Sequence, residues 1–405
     1  MKKIAIMSLV ASSILMAGGY KIPETSTNAV ALGAANVAHN QNNADAAYYN
    51  PAKMVFMSDE NHIEADLTYI KLYEVDYAGT YYGTGPYSNA SQSEDFYVPT
   101  FHYVSPKLGS SNARVGLSIA APAGLSKRWQ SQPAQGTAQE FTLETLEINP
   151  SVALEITDKL AFAAGFRVIK SSGVVQATGL HPTLGVYSQD MTGNSVDVGY
   201  NLALAYKASK ELEVGLTYRS KVDLDIEGNA NLYSSAFDFV GGVPAAVSIP
   251  IPASLNAAVA YTFPSETTLE VVFERTFWSA YKDLNFEYSH PLAEALFGSS
   301  KAKNWTDSTT YRIGLTQALD SMTLMAGLVI DNSPVPNGSL GFELPDSDTI
   351  SYSLGGRYQL NESVDVGFAA LYSVHQSRGV INTALNGEFT NGDVLMLSLG
   401  LGYKF

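Results

Sequence analysis

The sequence predicts an all-β protein, a transmembrane antiparallel β-barrel of about fourteen strands with an N-terminal plug inside its lumen. Three observations predict it. Apolar and polar residues alternate with a period of two in many successive segments of about ten residues. Short turns and long loops alternate between those segments. A compact polar stretch, Tyr20 to Phe56, stands between an export signal and the first strand, and it is longer than an ordinary connection.

Met1-Lys2-Lys3 is a short basic region, Ile4 to Met16 is apolar, and Ala17-Gly18-Gly19 offers small residues for cleavage. Residues 1–17 therefore read as a secretory signal peptide, too short for a spanning helix. Residues 18–56 follow as the plug. They are rich in Ala and Asn, with small residues at Gly33, Ala34 and Ala35, and they keep neither a helical nor a strand period. Asp45 leads into Asn50-Pro51-Ala52, where Pro fixes its own φ and pushes Asn50 out of the helical region. The barrel takes up residues 57–405.

Its strands are read from their alternation. Val196, Val198, Tyr200, Leu202, Leu204 and Tyr206 share one face of a strand. Ile350 to Leu360, Val364 to Val374 and Leu395 to Phe405 repeat the pattern. Short turns fall at Ser105 to Asn112, Thr157 to Lys159, Lys207 to Glu211, Phe263 to Glu266, Leu319 to Ser321 and Asn361 to Ser363. Long loops fall near Ala78 to Asp95, Pro122 to Gln139, Ala177 to Asn194, Ala230 to Pro250, Glu287 to Thr306, Ser333 to Thr349 and Gln376 to Asn391. An even strand count puts both chain ends on the side of the short turns.

Composition agrees. The chain has 405 residues, no Cys, 24 Tyr, 17 Phe and a formal charge of −15, with mean hydropathy of zero. Its acidity argues against nucleic acid, which needs basic clusters. The six His are scattered without metal-ligand spacing, and no G-x-S-x-G elbow accompanies them. Neither an enzyme, a cofactor nor a metal is expected; a Ser beside His102 or His375 is the competing enzymatic reading.

Tyr20-x-Ile22-x-Glu24, the run around Gly33, Asp45 and Asn50-Pro51-Ala52 resemble the N-terminal hatch of the FadL family. Gly215 to Ser220, Tyr311 to Leu315, Asp331 to Pro336, Leu344 to Asp346 and Val364 to Gly367 are similar to later family stretches, in the same order. The resemblance implies an outer-membrane transporter of long-chain fatty acids or related hydrophobic molecules in a Gram-negative bacterium. It implies a monomer in outer-membrane lipid, with Phe405 resembling the signal read by the barrel-assembly machinery. The alternatives are uptake of aromatic or alkane hydrocarbons, and a structural or surface-interaction barrel.

Candidate ligand contacts are basic residues on the face opposite the greasy one. Arg167, Arg312 and Arg357 point inward if the greasy face meets lipid, and a guanidinium can hold a carboxylate bidentately. Pairing with lumenal acids such as Asp197, Glu270, Glu274 or Asp365 is the competing reading. Tyr20, Ile22 and the loop residues Phe237 and Phe239 complete the set. For a side exit, Pro99 in the second strand and Pro150 in the fourth flank a third strand containing Gly116, and Pro cannot donate to a ladder. These three form a candidate lateral gate, and family barrels are thought to release ligand beside a kinked third strand.

Overall fold

Chain closure sets the architecture. The computed structural model describes residues 18–109 and 111–405; the expected signal peptide lies outside them. Fourteen strands make one closed antiparallel ring: β1 (His62–Leu72), β2 (Glu94–Val104), β3 (Ala113–Ala120, resuming as Gly124–Lys127), β4 (Glu140–Glu155), β5 (Leu160–His181), β6 (Gly185–Lys207), β7 (Leu212–Arg219, resuming as Val222–Ser234), β8 (Phe239–Ile251, resuming as Ser254–Thr262), β9 (Thr267–Thr276), β10 (Ser308–Ala318), β11 (Met322–Asp331), β12 (Thr349–Gln359), β13 (Val364–His375) and β14 (Val394–Lys404). β1 pairs with β14 from His62↔Lys404 to Leu72↔Val394. Asn61 and Phe405 extend that seam with reciprocal backbone bonds of 3.0 and 3.1 Å. No edge strand is left at the seam, as a lipid environment demands.

The outward face is greasy. Leu399, Leu401 and Tyr403 on β14 are exposed while Ser398, Gly400 and Gly402 between them are buried. The row from Val196 to Tyr206 on β6 is exposed throughout. Leu399→Arg, near the bilayer midplane, is expected to cost about 2–4 kcal/mol. Folding titrations of the variant into lipid vesicles check this, and parental stability would put the assigned face in error.

Four expected loops are largely strand, two of them as long hairpins of the barrel itself. β5 and β6 run on to a turn at residues 182–184, and β7 and β8 to one at residues 235–238. These hairpins rise well past the length of about 9–11 residues that crosses a bilayer. Their upper parts, the strands at Val75–Tyr81, Thr84–Ala90, Arg378–Ile381 and Leu385–Asn391, and the helix Pro291–Phe297 crown the barrel.

Residues 18–57 lie inside the ring. Helix α1 (Thr27–Leu32) is buried on every side, starting at Ser26, whose Oγ accepts from the Ala29 N–H, and ending at Gly33 with φ +57°. A Cβ on Gly33 would stand 2.4 Å from Val329 of β11. The Glu270 carboxylate of β9 accepts the N–H groups of Val37, Ala38 and His39 at 2.7, 2.7 and 2.9 Å. Asp45 gathers Ser26, Asn36 and Asn40 at 2.8, 3.1 and 3.1 Å. Asn50, extended at φ −151° as its place before Pro51 requires, caps the 3-10 turn Pro51–Phe56 through the Ala52 N–H. Its amide also reaches the carbonyls of Val37 at 2.9 Å and Leu204 at 3.1 Å. The tripeptide Asn50-Pro51-Ala52 thus joins the plug to itself and to β6.

Candidate functional site

The lower lumen is an ion-pair lattice between plug and wall. Arg357 grips Glu64 with two bonds of 2.7 and 2.9 Å, and it also meets Asp365 and Asn28 of the plug. Arg312 joins Glu274 at 3.0 Å, the Gly33 carbonyl at 2.9 Å and Glu24 at 3.5 Å. Arg167 joins Glu147 at 2.9 Å and the Ser220 carbonyl at 2.7 Å. None of the three is a free guanidinium: Arg312 and Arg357 tie plug to wall, Arg167 ties wall to wall, and Arg167 and Arg312 also border the space between plug and wall. In the plug itself, burial pushes the Glu24 carboxyl up to about 7 against the pull of Arg312.

One arginine the sequence reading passed over stands differently. Arg219 ends the lower half of β7, touches Glu147 through Nη2, and lies 4.4 Å over the ring of Tyr48. Its Nη1 is buried without a partner. It lines a recess of about 720 Å³ between plug and wall, shared with Ile22, Tyr48, Tyr49, Pro122 and Ile251. The signal available in sequence was only its place in Thr217-Tyr218-Arg219-Ser220, ahead of a strand break.

Above this recess the inner face turns apolar. Val222, Leu224 and Ile226 climb β7 fully buried, facing Ile249 and Ile251 of β8 in one cluster with Tyr20. They lead to a slot of about 480 Å³ lined by Phe141, Leu143, Val175, Met191, Val247 and Phe286. A wider recess of about 1380 Å³ opens at the crown, between Tyr81, Tyr187, Tyr288 and Phe297. Phe237 sits exposed at the β7–β8 turn, and Phe239 packs against His290 at 5.6 Å. Neither lines these three cavities. Ile22 lines the lower recess, while Tyr20, in the apolar cluster, donates to the Pro250 carbonyl at 2.6 Å and stacks edge-on against Trp278.

The wall is interrupted beside the recess. β2 pairs with β1 along its whole length but with β3 only from Phe101↔Ile119 to Val104↔Gly116. Higher up, β3 breaks at Ala121-Pro122-Ala123 and keeps company only with β4. The two edges meet again at the top, where Gln92 N–H donates to the Arg128 carbonyl at 2.8 Å and Ser126 donates to Glu94 at 2.6 Å. The plug supplies the broken strand with a substitute partner. Ile22 N–H donates to the Pro122 carbonyl at 3.0 Å, and Gly124 N–H to the Tyr20 carbonyl at 2.9 Å. Backbone groups at membrane depth need such partners.

The gate residues are placed unequally. Pro99 sits just above the last β2–β3 pair, at the free edge where Pro is tolerated. Gly116 is not at the break: it pairs with both Val104 and Ser151. A Cβ there would stand 2.5 Å from Met54 and 3.0 Å from Ala47, so glycine makes room for the plug. Pro150 pairs with Leu117 of β3, and the ladder it interrupts is the one between β4 and β5. There the Asn149 amide bonds the Phe166 carbonyl at 3.0 Å, patching the gap. Around β3 the ladder is therefore lost on one side, toward β2; a second interruption lies between β6 and β7, where pairing stops at Arg219↔Asn201 and resumes at Glu227↔Asn194.

A closed barrel with a greasy outer face, whose lumen holds its own N-terminal segment, is the architecture of a plugged outer-membrane barrel. The comparisons with known proteins place it further. A family model described as "Outer membrane protein transport protein (OMPP1/FadL/TodX)" matches residues 8–405, and the chain belongs to that family. The long-chain fatty acid transport protein of Salmonella typhi is 24% identical over 91% of this chain and 91% of its own length. Outer membrane protein P1 of Haemophilus influenzae is 21% identical over 90% of this chain and 89% of its own. Among solved structures, a Pseudomonas aeruginosa FadL homologue superposes with a TM-score of 0.84 at 19% identity, covering 95% of this chain and 99% of that one. The Ralstonia pickettii toluene transporter TbuX gives 0.73 at 17% identity, covering 94% and 98%. The family and the fold place the protein in the outer membrane of a Gram-negative bacterium.

Proposed function

We propose that this protein takes up hydrophobic molecules, long-chain fatty acids first among them, by diffusion through the plugged barrel and out sideways into the bilayer. The ligand enters at the crown recess, follows the apolar face of β7 and β8, and rests in the recess against the plug. It leaves between β2 and β3, as a monomeric barrel whose Phe405 serves as the assembly signal. The interrupted seam carries this reading. A chain crossing a watery lumen would lose about 0.8 kcal/mol per exposed methylene, and a side exit avoids most of that cost. The partnerless Nη1 of Arg219 favours a carboxylate over a neutral hydrocarbon. The largely apolar slot above it favours the second reading, an aromatic hydrocarbon, as in the neighbour from Ralstonia pickettii titled a toluene transporter.

The test uses the absence of native Cys. Cysteines at Val98 and Ala121, on opposite edges of the opening, are joined by a reducible cross-link. Uptake of labelled oleate should fall and return on reduction. Undiminished uptake through the cross-linked barrel sinks the lateral exit. Failure of the uncross-linked parent to take up either oleate or toluene sinks the transporter reading.

A further inference from the structure

Nearly every buried cation in this lumen has a carboxylate. Lys21 and Arg312 share Glu274, Arg167 and Arg219 share Glu147, Lys53 meets Glu213, and Arg357 meets Glu64. Lys127 breaks the pattern. Its side chain is 1% exposed, yet no carboxylate among the described residues lies within 4.0 Å of its ammonium. Its sole partner is the Ser91 hydroxyl, at a distant 3.5 Å. Removing an unpaired ammonium from water is costly, and interiors normally compensate the charge.

The position of Lys127 gives the charge a use. It ends the upper half of β3, opposite Phe141 of β4, and reaches across the top of the wall opening toward Ser91. Ser126 and Arg128 beside it are occupied with Glu94, and Arg128 also holds Glu140. Further orphaned polar atoms gather at this height. Glu94, Leu72, Val394 and Ser373 form one register row across β2, β1, β14 and β13. Glu94 Oε1, Ser373 Oγ and His375 Nδ1 are all buried without partners. The ring nitrogen and the hydroxyl can each donate to an anion.

We propose that Lys127 is the anion post of the wall opening, receiving the carboxylate of a single-chain amphiphile lodged between β2 and β3. The head then sits at the top of the opening and the tail points down past Pro99 into the bilayer, the orientation the amphiphile keeps once released. The site is distinct from the recess at Arg219, and the inference rests on the lateral exit proposed above. A headgroup phosphate of membrane lipid is the other source of an anion.

Lys127→Met and Lys127→Arg are compared with the parent in proteoliposomes of phosphatidylcholine alone, using labelled oleate and toluene. One charge-assisted hydrogen bond lost from a buried site amounts to about tenfold. Lys127→Met should lower oleate transport by about tenfold and leave toluene transport unchanged, with Lys127→Arg near the parent. Equal loss for both ligands, or none for oleate, overturns the proposal. An effect that needs added lipopolysaccharide also overturns it, since the anion is then a lipid phosphate. If Lys127→Met fails to show the heat-modifiable migration of a folded barrel, carboxyl-labelled oleate is followed by NMR in the parent and Lys127→Arg. An identical carboxylate resonance in the two contradicts contact with Lys127. Absence of any transport by the parent marks failure of the transporter reading instead.

Discussion

Removal of residues 20–56 turns this barrel into an open aqueous pore. Those residues fill the ring from β9 and β10, through Glu270 and Arg312, round to β6 at Leu204. Without them the facing carboxylates and guanidiniums line a water channel in place of a dry contact. Single-channel conductance in planar bilayers should rise from near zero to a porin-like level, and cells should become sensitive to large antibiotics. An unchanged conductance would mean the segment does not obstruct the lumen.

The second large effect falls on stability. Arg357→Leu leaves Glu64, fully buried on β1, with the Asn43 amide and without its guanidinium. Breaking a buried pair by deleting one partner costs about 3–5 kcal/mol. Denaturant titration of the vesicle-folded variant should show a loss of that size. Oleate transport by the fraction that remains folded should stay near the parental rate, because Arg357 pairs with protein and not with ligand. A variant with parental stability but lost transport would return Arg357 to the ligand path.

Local signals made much of this legible. A period of two read off β6 and β14 gives the lipid face directly, because each strand's exposure depends only on its own alternation. Asn50-Pro51-Ala52 marks the end of the plug because proline's restriction acts on the neighbouring residue. The charge lattice was not legible. Glu64 and Arg357 stand 293 positions apart and Lys21 and Glu274 stand 253 apart, so their meeting depends on ring closure and register. Gly116 could be read as a kink or as clearance for a neighbour, and only the position of Met54 decides. The break at Ala121-Pro122-Ala123 fell inside a stretch that resembled a loop. Lys127 lay there too, between Ser126 and Arg128, where a lysine ordinarily reads as a solvated surface charge.

The seam between β1 and β14 also has a bearing on how the chain folds. Asn61 and Phe405 are 344 positions apart, so the contact that closes the ring joins the two ends of the barrel sequence. The plug depends on the same late event, since Thr27 bonds Ser398 of β14 at 2.8 Å and Arg357 of β12 reaches Asn28. Folding rates fall as contacts become less local, because loop entropy must be overcome before such contacts form. The N-terminal segment is therefore expected to stay unhoused until the C-terminal strand has paired. A chain truncated before Val394 loses both closure and the Ser398 contact of Thr27 at once, and should accumulate as an unfolded periplasmic species for proteases to clear.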